Sequence, residues 1–286
     1  NPRESQGKAF CEEFGIPHLA CSCEELFEHC DAVYVASPHY THYDYTKKAL
    51  LAGKHVLCET PLVLCGQQAE ELLLLAEDKK LVLMMAHKTA YCPAFIHLIS
   101  ILKSGVIGEI VEVNASVTTL TDEHSEKLDN KRFGGSMNEN AVFPLLPIFK
   151  LLGTDFRNIN FYSKMKKGVD MYTKAVFRYD TAIASFQVGL GVKTEGNMTI
   201  SGTKGYAYVP APWWKTDYFE IRFEDQNQNK KFFYPFSGEG LRYEIKDFVS
   251  NILHHGSVYS KIVPKELIAM AEVQEMYLRG KNVFLI

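Results

Sequence analysis

No apolar run in the 286-residue chain approaches the ~20 residues needed to cross a bilayer, and no signal-peptide pattern is visible. A soluble, cytoplasmic protein with no membrane partner is the expectation. Charge of one sign is also lacking: 31 Lys and Arg against 34 Asp and Glu leave a net −3. A nucleic-acid partner needs a basic stripe, so none is expected. Cysteine gives no disulfide framework. The seven (Cys11, Cys21, Cys23, Cys30, Cys58, Cys65 and Cys92) are odd in number and confined to the first third. Cys21 and Cys23 lack the two-residue spacer of zinc knuckles, which argues for reduced thiols and no metal site. Linkers, repeats and low-complexity stretches are missing. So is any G-x-G-x-x-G, because Gly189 and Gly191 come without a third glycine.

What is present in the first third is alternation of helix and strand. Residues 1–17 read as a helix with Pro2 at its start, Glu4 in its first turn and Gly15 at its stop, and Phe10 and Phe14 share a face. In a doubly wound fold such a helix follows the second strand. A first strand and glycine-rich turn, about 30 residues or more, are therefore expected to lie outside this sequence or to be missing. Helices at Cys23–His29, Tyr43–Ala52 and Gln67–Asp78 separate strands at Ala32–Ala36, His55–Cys58 and Leu81–Ala86. Continuous apolar strands between helices predict a parallel sheet covered on both faces. Ligands bind beyond the carboxyl ends of such strands. That rule puts Ser37-Pro38-His39, Glu59-Thr60-Pro61 and His87-Lys88 on one rim.

Beyond Pro93 the pattern changes. A helix at Ala94–Ser104 leads into many strands, at Glu109–Thr119, Asn158–Ser163, Met171–Tyr179, Ala182–Leu190, Asn197–Ser201, Tyr206–Val209, Phe219–Glu224 and Lys231–Pro235. Two helices close the chain, at Leu241–His255 and Pro264–Gly280. Many strands with few helices predict a large, mostly antiparallel sheet open on one face. An apolar open face implies a partner, so a homodimer or homotetramer through this sheet is expected. The fold class is therefore α/β: a dinucleotide-binding unit over residues 1–88 and an α+β substrate-binding and oligomerisation unit over 89–286.

The segment SPHYTHYDYTKKALLAGKHVLCETPL, ending in Ala52–Pro61, resembles the most recognisable run of the glucose–fructose oxidoreductase and inositol dehydrogenase (Gfo/Idh/MocA) family. Further landmarks follow in order: Pro93-Ala94-Phe95, GVIGEI at 105–110, Gly134-Gly135, Leu151-Leu152-Gly153, SGTKG at 201–205 and the closing VPKELIAMAEVQEMYLRGKNVFL. The resemblance implies a Rossmann-type domain binding NAD or NADP, and hydride transfer on a sugar, cyclitol or related polyol as the small-molecule substrate. It also implies a lysine at Thr60, an aspartate at Glu139, a histidine at Phe143, a second aspartate at Leu146 and an arginine at Ala90. Lysine, histidine and arginine positions are thus all neutral in this chain.

By the same resemblance Ser37, Pro38, His39, His42, Glu59 and Thr60 are the cofactor-binding positions. His39 and His42 read equally as helix packing, and Glu59 as a solvated strand end. Lys88 is the nearest base on the rim and, with Glu139, the candidate catalytic pair. Both are also candidate substrate ligands with Asn138 and Trp213. Glu139 reads equally as a helix-terminal carboxylate, and the Trp213-Trp214 pair as a dimer contact. Three readings stay open: an oxidoreductase with rearranged acid–base groups, a non-redox family member that binds a sugar or nucleotide, and a chain fused to an upstream module.

Overall fold

The apolar segments of the first third build a short parallel sheet. The computed structural model describes residues 4–122, 124–131, 133–236, 238–254 and 260–286. Pro2 and His255, read above as parts of helices, lie outside that set. Here α1 (Glu4–Phe14), α2 (Cys23–Glu28), β1 (Ala32–Val35), α3 (His42–Leu51), β2 (His55–Glu59), α4 (Gly66–Asp78) and β3 (Leu83–Ala86) follow in order. The strands pair in parallel as β1-β2-β3, with Val33 opposite Val56 and Leu57 opposite Met84. Val56, Leu57, Met84 and Met85 are buried in one core with Ala49 and Leu50 of α3 and Leu72 of α4. Full burial of each larger side chain favours folding by ~1.5–3 kcal/mol, which overrides the modest helix preference of these segments. The α3–β2 turn needs Gly53 in the left-handed region, at φ 75°.

The remainder comprises α5 (Lys88–Tyr91), α6 (Pro93–Lys103), β4 (Ile110–Thr118), α7 (Glu126–Asp129), α8 (Ser136–Asn140), α9 (Val142–Leu152), β5 (Asn158–Lys166) and β6 (Val169–Arg178). It continues with β7 (Ile183–Gly189), β8 (Met198–Gly202), β9 (Tyr206–Val209), β10 (Tyr218–Arg222), β11 (Lys230–Phe233), α10 (Leu241–Leu253), α11 (Pro264–Leu278) and β12 (Val283–Leu285). Nine strands form one sheet in the order β11-β10-β9-β8-β4-β7-β6-β5-β12. The β4–β7 and β5–β12 pairings are parallel and the others antiparallel.

Period-two alternation decides which face is covered. Val113, Ala115, Val117, Phe161, Phe177, Phe186 and Val188 are buried, with α9 packed on β4 and β7 and α6 on β10. The opposite face is open, as the alternation predicts. It carries polar and aromatic side chains together with the exposed Ile183, Phe233 and Phe284. Asn114 pairs with Thr199, Thr199 with Tyr208 and Tyr208 with Glu220. The Arg222 guanidinium lies 4.9 Å from the Tyr208 ring centroid and donates to Glu220 at 2.6 Å. Arg222, Glu220 and Tyr208 thus pair with one another at one end of this face.

Candidate active site

The rim begins where β1 ends. Ser37 and Pro38 lead into a single tight turn, His39–Thr41, that enters α3. The Thr41 hydroxyl lies 2.7 Å from both Ser37 Oγ and the Pro38 carbonyl, which fixes this turn. His42 follows and is completely enclosed, with one ring nitrogen 2.7 Å from the Pro61 carbonyl and the other 2.7 Å from that of Ser37. It braces the ends of β1 and β2 from inside. His39 is the imidazole that faces outward, and burial pushes it below its ordinary value despite the pull of Glu139.

At the end of β2 the Glu59 carboxylate accepts from the Tyr34 hydroxyl and from the Thr60 N–H, the latter at 3.2 Å. Burial, then this carboxylate, raises the Tyr34 phenol and keeps it neutral. Lys88 opens α5 beyond β3, and its charge acts on Glu239 and Glu244. Glu244, on α10, is buried, and burial followed by the charge on Glu59 pushes its carboxyl up to about 8. It lines a cavity of about 320 Å³ with Tyr34, Leu57 and Phe248. Its Oε2 has no partner among the described residues.

Across from this rim stands α8, placed by two glycines. A Cβ on Gly134 would come 2.5 Å from the Lys127 carbonyl, and one on Gly135, at φ 104°, would come 2.4 Å from Asp170 Oδ1. Asp170 is buried in β6 and accepts from the Ser136 hydroxyl, from the Met137 N–H at 3.0 Å and from the Thr173 hydroxyl at 2.8 Å. It thereby caps the helix that carries Asn138 and Glu139. Burial raises its carboxyl to about 6 against those three bonds. Asn138 donates from Nδ2 to the Gly134 carbonyl at 2.9 Å, closing the first turn. Pro144 has no N–H to donate to the Asn140 carbonyl, which interrupts the helix at Ala141. Ala141 keeps helical dihedrals (φ −63°, ψ −32°), so Glu139 and Phe143 stay about one turn apart.

The two sides meet at Glu139. Its Oε2 accepts from Lys127 Nζ, and its Oε1 lies 3.7 Å from His39 Nε2. Beside this contact the rings of Tyr40 and Phe133 stack at 5.5 Å. Two buried polar atoms of these residues have no partner among the described residues, His39 Nδ1 and Asn138 Oδ1. A carboxamide or hydroxyl can satisfy either kind of atom, so the chemistry of these residues fits a nicotinamide or a polyol group.

Other positions lie apart from this contact. Phe143 packs on His87 with ring centroids 5.0 Å apart, and His87 Nε2 lies 3.1 Å from the Val142 carbonyl. Burial drives the His87 imidazole down to about 4, so it is neutral at pH 7. Ala90 and Leu146 are core residues. Trp213 has 0% exposure, and its Nε1 donates to the Ser116 carbonyl at 2.9 Å. The structure thus brings His39, Asn138 and Glu139 together, with Ser37, Pro38, Glu59 and Thr60 along the same rim. Lys88 faces α10 instead, and Trp213 is in the core. The sequence reading missed Lys127, Tyr40, Phe133, Asp170 and Glu244. Only the Gly134-Gly135 pair signalled a close approach, without naming its partner. Among the described residues no helix is long and apolar enough to cross a membrane, and no group of three or more His, Cys, Asp or Glu is placed to hold a metal.

Comparison with known proteins agrees with this architecture. Residues 1–87 match the oxidoreductase family, NAD-binding Rossmann fold, and residues 95–208 match the GFO/IDH/MocA C-terminal domain. Trans-1,2-dihydrobenzene-1,2-diol dehydrogenase of Bos taurus is 28% identical over 280 residues, covering 93% of this chain and 83% of its own length. D-xylose 1-dehydrogenase (NADP(+)) of Hypocrea jecorina is 36% identical over 132 residues, 43% of this chain and 34% of its own. A 3-ketoreductase from Actinomadura kijaniata, solved with NADP and TDP-benzene, superposes with a TM-score of 0.86 at 23% identity, over 100% of this chain and 89% of that one. Levoglucosan dehydrogenase, solved with NADH and levoglucosan, gives 0.82 at 19% identity, over 99% and 87%. These likenesses to solved structures show the fold. Matched in order by both of its domains, the chain belongs to the Gfo/Idh/MocA oxidoreductase family.

Proposed function

We propose that this protein is a nicotinamide-dependent oxidoreductase that moves a hydride to or from a ring carbon of a sugar, cyclitol or related polyol. The observation that carries this reading is the contact between His39, on the β1 rim, and Glu139, on α8. It puts a carboxylate and an imidazole where the strand ends of residues 1–88 face the helices of 89–286. The nicotinamide, when bound, supplies the carbon that exchanges the hydride. Ser37, Pro38, His39, Glu59 and Thr60 line its side of the cleft.

Glu139 is the proton acceptor in the oxidative direction. Its carboxylate takes the proton of the substrate hydroxyl as the hydride departs, and returns it in the reductive direction. Lys127 holds the second carboxylate oxygen. At 3.7 Å the His39 ring is one bridging water or a small closure away, and burial keeps it neutral and able to accept a proton. Phe143 cannot carry a proton, but over His87 it offers an apolar wall to a ring. Asn138 Oδ1 is an unused acceptor for a second hydroxyl.

Titration of the full-length protein with NADH and NADPH, followed by nicotinamide fluorescence, tests this reading. Binding of one nucleotide, and turnover with cyclic vicinal diols or sugars, are expected. Binding of neither overturns it. The neutral residues Thr60 and Phe143 favour a second reading, a binder without redox activity. Nucleotide binding without turnover on any polyol would select that one. The open sheet supports a further proposal, self-association through the Tyr206, Tyr208, Glu220 and Arg222 cluster. Tyrosine and arginine are the residues that hold such faces most strongly.

A further inference from the structure

His42 has 0% exposure, yet both of its ring nitrogens sit 2.7 Å from carbonyl oxygens, Nδ1 from Pro61 and Nε2 from Ser37. A carbonyl oxygen accepts and cannot donate. Either neutral tautomer offers one N–H and one lone pair. The lone pair would then face an oxygen at hydrogen-bond distance, and a buried carbonyl would stay unpaired. Only the doubly protonated ring donates to both. We propose that His42 is a buried imidazolium, a positioning residue that pins the Ser37 loop to the Thr60-Pro61 loop and sets a fixed positive charge beneath the cofactor rim.

The surroundings accommodate one cation at this point. The His39 ring lies 5.7 Å away, edge to face, and is held neutral by burial. From β2, the Cys58 thiol is pushed up to about 12 by burial and is also neutral. Glu59 ends the same strand. Beyond His39 the Glu139 charge is countered by Lys127. A charged ring makes both bonds stronger than neutral ones, and losing either proton releases one of the two loops.

The test is nuclear magnetic resonance of the full-length protein carrying 15N in its histidine rings. His42 is identified as the signal lost in H42Q, or, if that variant does not fold, by its contacts with Pro61 and Ser37 protons. Both ring nitrogens are expected to carry protons at pH 7.5, while the outward-facing His39 shows one bare nitrogen. A bare nitrogen on His42 at that pH would overturn the proposal. The positioning role rests on the nicotinamide reading and has its own arm. H42Q, neutral and able to bridge from one end only, is expected to weaken NADPH or NADH binding about tenfold, the weight of one charge-assisted hydrogen bond. Unchanged affinity in a folded H42Q would reject the positioning role. Failure of the unmodified protein to bind either nucleotide would reject the nicotinamide reading, and the protonation measurement would still decide the state of the ring.

Discussion

The imidazole of His39, on the turn after β1, lies 3.7 Å from the carboxylate of Glu139, on α8. The two residues are 100 positions apart and come from different sheets' worth of structure. Neither would have this neighbour without the glycine pair that lets α8 approach β6, or the brace that His42 gives the rim. Their meeting converts a list of polar residues into a site with an acceptor, a second acceptor behind it and a cation, Lys127, holding the first.

Asp170 positions that acceptor. It pairs with the Ser136 hydroxyl and the Met137 N–H at the start of α8, so any change there is felt at Glu139. Asp170→Asn brings an N–H toward donors that need an acceptor. It is expected to cost about 1–3 kcal/mol of stability and to lower kcat more than nucleotide affinity. Thermal unfolding and steady-state kinetics on one preparation check this. An unchanged kcat with lowered stability would confine Asp170 to the fold.

The Glu244 carboxyl gives stability a pH dependence. Its value is raised from 4.5 to about 8 in the folded chain, so the folded state holds more protons than the unfolded one within that window. Stability therefore falls as pH rises through it. The His87 imidazole, lowered from 6.5 to about 4, acts the other way, but only as pH drops below 6.5. Between pH 6.5 and 8 the Glu244 effect is on the order of 1 kcal/mol. Urea midpoints across that range should decline less steeply in Glu244→Gln than in the unmodified protein. Parallel declines would exclude Glu244 as the source.

Trp213 separates a core role from a substrate wall. Trp213→Phe leaves a void and an unpaired Ser116 carbonyl, with an expected loss of about 1–3 kcal/mol. Since the ring has 0% exposure, KM for a polyol should change little. A KM raised more than tenfold at unchanged stability would return Trp213 to the site.

Much of the fold was legible because burial imposes periodicity. The runs at 32–36, 55–58 and 81–86 are almost wholly apolar and became β1 to β3, although Tyr34 of β1 is left exposed. In the second half, alternation marked β4 to β10 within a residue or two at most ends. Alternation failed at Asp170. Counting back from Phe177, Ala175 and Thr173 puts Met171 inward and Asp170 outward. The register slips by one residue between Tyr172 and Asp170, an irregularity that turns Asp170 into the core. No sequence period reports such a slip. Trp213 was misjudged because an aromatic after two prolines reads as surface loop, whereas its indole N–H found a strand carbonyl inside. The family landmarks identified the rim, but which of its two histidines faces outward depended on hydrogen-bond geometry.

The central claim is that Glu139 handles the proton of a hydride transfer. The direct measurement is the single-turnover rate of nicotinamide oxidation or reduction in the unmodified protein and in Glu139→Gln, with nucleotide affinity measured on the same samples. A rate lowered by about 100-fold or more at unchanged affinity is expected. Equal rates in the two proteins would contradict it.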